Sequence, residues 1–303
     1  MVFHKPQFEV RPSLITGDSA DVYLHRTQRI LRNEGKNPVV TMEFSITQGA
    51  VLCGIREVIA ILERVTSEGN REVWSIDDGD GVNPGEVCLS IRAPYSSFGL
   101  YETAICGILA QSSGWATAAQ QLVRVSNGIP IVSIGAHNVH PSVGPIMDYA
   151  AVIGGCLSGS TVLGNKLAGS SPIATVSGAL LQLMGDPGRA LLAFDRSMPT
   201  EVPRVGYVDP RGDVVAQTLK VAELMQDRLD AIRLARIPGA KPVPIDVIKE
   251  VRRHLDELDY QHVHIVLSGE MSPERMESLV AQGAPVDVVH DSNYIASSTP
   301  IPF

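Results

Sequence analysis

"IPIVSIGAHNVHP" (129–141) is the stretch on which the fold turns. An apolar run too short for a helix ends at Gly135 and delivers two histidines and a proline. The run does not alternate polar with apolar, so both of its faces are expected to be buried, as in a parallel sheet. Further on, the same kind of run recurs as "PRVGYV" (203–208), "LDAIRL" (229–234), "HVHIVL" (262–267) and "PVDVV" (285–289). Helical patterns separate the later runs: "DVVAQTLKVAELMQ" (213–226), "PIDVIKEVRRHLDEL" (244–258) and "SPERMESLVAQG" (272–283). Apolar strands alternating with helices predict a parallel sheet covered on its outer side. Their count and length favour a barrel over an open sheet, and the fold class is read as α/β with an irregular or incomplete parallel barrel. Chemistry in such barrels gathers where the strands end. That rule points to His137 and His140, Asp209, Arg233 and Arg236, Ser268 and Gly269, and His290 and Asp291.

The first third mixes element types. "DVYLHRTQRILRNEG" (21–35) predicts a helix stopped by a glycine, and "NPVVTMEFSI" (37–46) a strand. "VLCGIREVIAILERV" (51–65) has helical spacing. Short strands "EVWSI" and "EVCLSI" flank the turn-rich "DDGDGVNPG" (77–85). A long helical pattern then runs from about residue 98 to 125, with Gly114 in its middle marking either a break or a close backbone approach. Residues 1–112 are read as an N-terminal α+β domain with a linker helix, and 113–303 as the α/β barrel domain.

Composition removes several function classes. With 303 residues, 44% of them hydrophobic, the chain can bury a large core without disulfides or a structural metal. Its net charge of −8 and scattered Lys and Arg residues lack the basic stripe of a nucleic-acid binder. Cys53, Cys88, Cys106 and Cys156 form no CxxC pair and sit in apolar stretches, as reduced core thiols do. Neither a signal peptide nor a membrane-length apolar run is visible, so a cytoplasmic location is expected.

The chemistry-bearing groups each carry a bland reading beside the functional one. His137 and His140 share one helical face, but a metal site needs a third ligand, so packing or contact with an anionic substrate competes with metal binding. "GGCLSGSTVLG" (154–164) lacks the Walker lysine and the dinucleotide pattern. It reads either as a phosphate cradle with Ser160 as helix cap, or as a turn and a cap. "LSGE" (267–270) offers N–H groups to a phosphate or is an ordinary turn before a helix capped by Ser272. "VDPRGD" (208–213) supplies Asp209 to a cation or a ribose hydroxyl, or simply holds its turn. No resident metal site is assigned.

Taken in order, these pieces resemble the nicotinate phosphoribosyltransferase family, a type II phosphoribosyltransferase, in a divergent form. The likeness runs through "SADVYLHRTQRIL" (19–31), "PYSSFGLYETAICGILAQSSGWATAA" (94–119) and "GAHNVHPSVGPIMDYAAVIGGCLSGSTVLG" (135–164). It continues through "LLQLMGD", "AFDRSMPTEVPRVGYVD", "HVHIVLSG" and "PVDVVHDSNYIASSTPIPF". The resemblance implies a small α+β domain on an irregular α/β barrel, and a homo-oligomer with sites at the subunit interface. It also implies transfer of phosphoribosyl from phosphoribosyl pyrophosphate to nicotinate or a related base in NAD biosynthesis, with Mg²⁺ and, in many members, ATP. By the same resemblance His137, His140 and Asp209 are expected to be catalytic. Tyr23, Ser160, Thr161, Thr175, Ser268, Gly269, His290 and Asp291 are expected to bind substrate. Neither nucleic acid nor membrane is an expected partner.

Several positions depart from the family pattern. Its Gly-Ala-Arg arginine is His137, although His140 and Pro141 are kept. The loop histidine before "AL" is Gly178, Val-Asp-Thr reads "VDP", and the acid of Arg-Leu-Asp-Thr is Ala235. Ser-Gly-Gly reads "SGE", which introduces Glu270, and the closing glycine loop reads "HDSN" (290–293). Family members continue beyond "PIPF" with a strand that returns to the N-terminal domain, so that layer is expected to be reduced or cut. Losing an arginine removes a bidentate phosphate clamp, and filling a glycine loop blocks close backbone approach. Two alternatives to the transferase therefore stand: a catalytically silent binding or scaffold relative, and a changed reaction on a less anionic ligand.

Overall fold

The structure, a computed structural model, describes residues 8–172, 176–235 and 241–303. Among these residues ten strands occur in the order β1 (Val39–Ser45), β2 (Ala50–Val51), β3 (Glu72–Ser75), β4 (Gly81–Val82), β5 (Val87–Pro94), β6 (Ile131–Ser133), β7 (Val205–Tyr207), β8 (Ala231–Ala235), β9 (His264–Gly269) and β10 (Val288–Asp291). The helices are α1 (Pro12–Ile15), α2 (Val22–Asn33), α3 (Ile55–Val65), α4 (Tyr95–Phe98), α5 (Glu102–Val125), α6 (Gly144–Ile153), α7 (Val162–Ala168), α8 (Gly178–Met184), α9 (Pro187–Ser197), α10 (Val214–Met225), α11 (Ile245–Glu257) and α12 (Pro273–Ala281).

All five apolar runs that predicted the parallel sheet become its strands, in the order β6-β10-β9-β8-β7. Among the described residues every strand pairing in that sheet is parallel. The expected irregular, incomplete α/β barrel is found, in an open form. Among the described residues the ladder runs from β6 to β7 without closing, extended beyond β6 only by a bridge from Val132 to Ser158. Between β6 and β7 the chain spends its length on helices and loops, which leaves too few extended segments to close a ring.

In the sheet, residues directly paired across neighbouring strands share a face. One face carries Ile131, Ile232, Leu234, Ile265, Leu267 and Val289, which join the large core under the helices. The opposite, inner face holds a small apolar cluster of Val205, Ala231 and Val266, with Val288 packed against it. Above that floor lie the polar residues of the candidate site.

The N-terminal layer is an antiparallel sheet, β1-β5-β3, whose buried side meets α3 and α5. The helical spacing read from Val51 overreaches: Val51 pairs with Gly81, and the helix starts only at Ile55. Gly54, at φ +107°, makes the turn, and the carboxylate of Asp78 accepts the N–H groups of Ile55 (2.8 Å) and Arg56 (3.4 Å). A capping acid 23 residues downstream is invisible to local pattern reading.

α5 runs unbroken through Gly114, so the mid-helix glycine marks a close approach and not a break. A Cβ there would overlap the carbonyl oxygen of Thr299. The chain end lies in the N-terminal layer. Ile301 belongs to its core, Ile301 N–H donates to Ala110 O (3.0 Å), and Pro302 O accepts from Thr47 N–H (3.1 Å) and Oγ1 (2.9 Å). Conversely, Phe8, Val51 and Cys53 pack into the core of the parallel sheet. The four cysteines are free thiols, buried except for the half-buried Cys106. Among the described residues no helix is long and apolar enough to cross a membrane.

Candidate functional site

Three loops meet at the ends of β6, β9 and β10. Asn138 Nδ2 donates to Ser292 O (2.6 Å) and to Asn293 Oδ1 (3.2 Å), and Asn293 Nδ2 donates to Glu270 Oε1 (3.3 Å). Ser292 N–H donates to Gly269 O (2.9 Å). The segments 135–141, 268–270 and 290–293, distant in sequence, thus form one rim. His137 and His140 stand exposed on it. His140 Nδ1 accepts the N–H of Ser142 (3.1 Å), so the neutral ring carries its proton on Nε2 and offers it outward. Among the described residues no three His, Cys, Asp or Glu side chains gather into a metal cage.

Below the rim, the inner face presents two polar rows. The upper one pairs Ala235 with Ser268, Ser268 with His290, His290 with Val132, and Val132 with Ser158. The lower one pairs Tyr207 with Arg233 and then with Val266 and Val288. Arg233 places its guanidinium 4.8 Å from the centre of the Tyr207 ring. Among the described residues no carboxylate pairs with it, its Nε is buried without a partner, and burial pulls its pKa down. His290 is 1% exposed, and neither ring nitrogen has a hydrogen bond. Burial, with the Arg233 charge adding to it, pushes its pKa down to about 3, so the ring is neutral. The Ser158 hydroxyl is also buried and unpartnered. Orphaned buried polar atoms are costly, and their concentration on one inner face is the signature of a site.

Asp291 has a different duty. Its carboxylate accepts backbone N–H groups from Met271 (3.1 Å), Asn293 (3.3 Å), Tyr294 (3.1 Å) and Ile295 (3.0 Å) while fully buried. It shapes the closing loop from behind the rim, and burial raises its pKa in spite of those donors. The neighbouring residues of "HDSN" therefore split: His290 faces the inner side and Asp291 the outer, as the period of two along β10 requires.

The reading of "GGCLSGSTVLG" as a phosphate cradle capped by Ser160 is corrected. The amides of Ser160 (3.0 Å) and Thr161 (2.7 Å) donate to Asp148, and that of Gly159 to Asn165 Oδ1 (3.0 Å). An internal carboxylate already occupies the anion position. The helix cap is Thr161, whose hydroxyl accepts Gly164 N–H (3.2 Å), while Ser160 Oγ turns to Asp148 (3.3 Å). Asp148 also accepts from Ser133 Oγ (3.2 Å) and so pins this loop to β6. Burial raises the pKa of Asp148.

Asp209 follows β7, at the opposite edge of the sheet from β6. Arg211 grips it with both Nε (2.9 Å) and Nη2 (2.8 Å), and these bonds hold its carboxyl below the usual range. The two line a cleft of about 410 Å³ with Gln182, Asp186 and Gln217. Tyr23 lies on the exposed side of α2, and among the described residues no hydrogen bond or ring contact joins it to the rim. Thr175 lies outside the described residues, as does Arg236. Ser268 and Gly269 fall where the strand-end rule put them, with Ser268 buried in the upper inner row.

Asp148, Tyr207 and Ser158 escaped sequence reading. A period-of-two count along the strands would have found Tyr207, but only if the inner face were known. Asp148 sits in a helix whose sequence, "GPIMDYAAVI", gives no cue to the loop it holds.

A family model described as "Quinolinate phosphoribosyl transferase, N-terminal domain" matches residues 21–113. The crystal structure of nicotinate-nucleotide pyrophosphorylase from Pyrococcus furiosus is 32% identical and superposes with a TM-score of 0.87, over 99% of this chain and 76% of that one. A nicotinate phosphoribosyltransferase of Mycobacterium tuberculosis is 24% identical over 218 residues, 71% of this chain and 46% of the relative. The chain thus spans less than half the length of that curated relative. The structure of human nicotinic acid phosphoribosyltransferase, at 16% identity and a TM-score of 0.72 over 90% of this chain and 72% of that one, shares the fold.

Proposed function

We propose, on the premise that this chain belongs to the nicotinate and quinolinate phosphoribosyltransferase family, the type II phosphoribosyltransferases, that it transfers phosphoribosyl from phosphoribosyl pyrophosphate to nicotinate or a related base. The observation that carries this reading is the unpaired, half-buried Arg233 on the inner face, beneath a rim built from three strand-end loops. A half-buried cation without a counter-charge carries a desolvation cost that an anionic ligand relieves.

In the reaction the bond from ribose C1 to pyrophosphate breaks, and one forms from C1 to the ring nitrogen of the base, releasing pyrophosphate. Positive charge grows on the sugar between those events. The rim supplies polar donors for the phosphates from His137, from His140 through Nε2–H, and from the Ser268–Gly269 end of β9. Asp209, kept ionised by Arg211, supplies a carboxylate to the sugar side. Mg²⁺, which the family resemblance implies, would arrive with the pyrophosphate and would offset its negative charge as it leaves. The exposed Val22, Tyr23 and Ile30 of α2, and the exposed Leu157, Val162 and Leu163 beside the site, support a homo-oligomer.

The test is direct. Purified protein is incubated with nicotinate, phosphoribosyl pyrophosphate and Mg²⁺, with and without ATP, and mononucleotide is measured by chromatography. Absence of product at high protein concentration overturns the transferase reading.

A further inference from the structure

The rim loop that carries His137 and His140 is held by a side chain from the N-terminal segment. Arg11 Nη2 donates to Ser142 O. Ser142 N–H in turn donates to His140 Nδ1 (3.1 Å). One residue of the loop therefore links Arg11 to an imidazole on the rim. The turn also has bonds of its own: Val143 N–H (2.8 Å) and Gly144 N–H (3.2 Å) both donate to His140 O. Those bonds fix the base of the turn but engage neither Ser142 O nor the His140 ring. Arg11 is itself anchored on both sides. Three residues before it, Phe8 is buried in the core of the parallel sheet and meets Tyr149 edge-on, with ring centres 5.0 Å apart. Directly after it, Pro12 opens α1, which packs on α3. Glu57, in the first turn of α3, is near enough for its charge and that of Arg11 to attract. A backbone N–H can only donate, so the ring nitrogen it meets carries no proton, and the neutral imidazole keeps its proton on the other nitrogen. Whatever fixes Ser142 thereby chooses the hydrogen-bonding edge that His140 shows to a ligand. An exposed loop holds such a choice only when it is tied down, and a guanidinium on a carbonyl is a charge-assisted tie.

We propose that Arg11 is a positioning residue for the rim: through Ser142 it holds the His140 imidazole in the tautomer that presents Nε2–H to the phosphates of the donor. This role rests on the transferase reading and deepens it, because it makes the N-terminal segment a working part of the donor site. Arg11 acts through the loop, with no substrate contact of its own. Its loss is therefore felt by phosphoribosyl pyrophosphate more than by the acceptor base.

The experiment compares wild type with Arg11→Met and Arg11→Lys. Arg11 is exposed, so both variants are expected to fold. Histidine ring nitrogens are read by long-range ¹H–¹⁵N correlation spectra at about pH 8, where free imidazoles are neutral, with His140→Gln used to assign the His140 signals. Wild type is expected to show the Nε2–H tautomer of His140, and Arg11→Met a mixture of the two. Arg11→Lys keeps a charged donor and is expected to recover the wild-type pattern. In assays of mononucleotide formation, Arg11→Met should raise KM for phosphoribosyl pyrophosphate about fivefold, the scale of one hydrogen bond, with KM for nicotinate within about twofold. Arg11→Lys should regain most of that loss. A wild-type ring protonated on Nδ1, or an unchanged tautomer in Arg11→Met, overturns the proposal whatever the activity. So does a mixed tautomer with an unchanged donor KM. A mixed tautomer in Arg11→Met with no product from wild type removes the transferase reading and leaves the hold on the ring standing. Product from wild type with unmoved ring nitrogens in Arg11→Met does the reverse.

Discussion

The carboxylate of Asp148 accepts the backbone N–H of Thr161 at 2.7 Å, and the same oxygen takes the N–H of Ser160 at 3.0 Å. A side chain from α6 thereby stands where a glycine-rich loop in isolation would hold a phosphate. The loop is built, but for an internal anion. Its job is to keep Ser158 beside β6, on the inner face.

Asp148→Asn places an amide N–H₂ against donors that need an acceptor, in a fully buried setting. We expect a loss of about 2–4 kcal/mol in unfolding free energy, the range for a broken buried network. Urea denaturation measures it, and amide exchange across 158–165 should speed up ahead of global unfolding. A loss under about 0.5 kcal/mol would show that the carboxylate is dispensable to the loop.

Gly154 follows α6, where a Cβ would overlap the carbonyl oxygen of Ala116 and crowd the Ala119 methyl at 2.7 Å. Backbone of α5 cannot yield as a flexible side chain would. Gly154→Ala is expected to cost about 3 kcal/mol or to prevent folding, whereas Gly69→Ala, with nothing within 4 Å, should stay within about 0.5 kcal/mol. Thermal melts of the two variants side by side check the contrast.

Arg233→Met replaces an unpaired cation by an apolar chain of similar length. The ligand-free variant should melt a few degrees higher than wild type, because no buried charge is left unpaired. Mononucleotide formation should fall at least about a hundredfold. Lower stability together with intact activity would refute the assignment of Arg233 to the site.

Glu57 titrates unusually. Burial, with Asp78 adding to it and Arg11 opposing, raises its pKa from 4.5 to about 7. A carboxyl whose folded pKa exceeds the unfolded one favours folding in its protonated form. Its contribution is therefore complete below about pH 4.5 and lost as pH rises through 7. Glu57→Gln should raise the melting temperature at pH 8 by roughly 2–5 °C more than at pH 5. Equal shifts at the two pH values would place Glu57 in water.

Position 114 shows how far local pattern carries. The helical period through "CGILAQSSGWATAA" determined the helix, but whether its glycine broke it depended on Thr299, which arrives from the far end of the chain. The same division holds for the site. By itself the sequence determined the five apolar strands, their alternation with the later helices, and hence which residues stand at strand ends, because burial on two faces and the period of a helix are local properties. Only the tertiary structure decided that the sheet stays open, that Asp148 satisfies the 158–161 amides, and that His290 faces inward while Asp291 faces the closing loop. The Asp148 bonds reach 12 and 13 residues along the chain, and the facing of His290 is set by pairing with Ser268 and Val132 on other strands; a buried hydrogen bond is chosen by which groups folding brings together, not by what stands next in the chain.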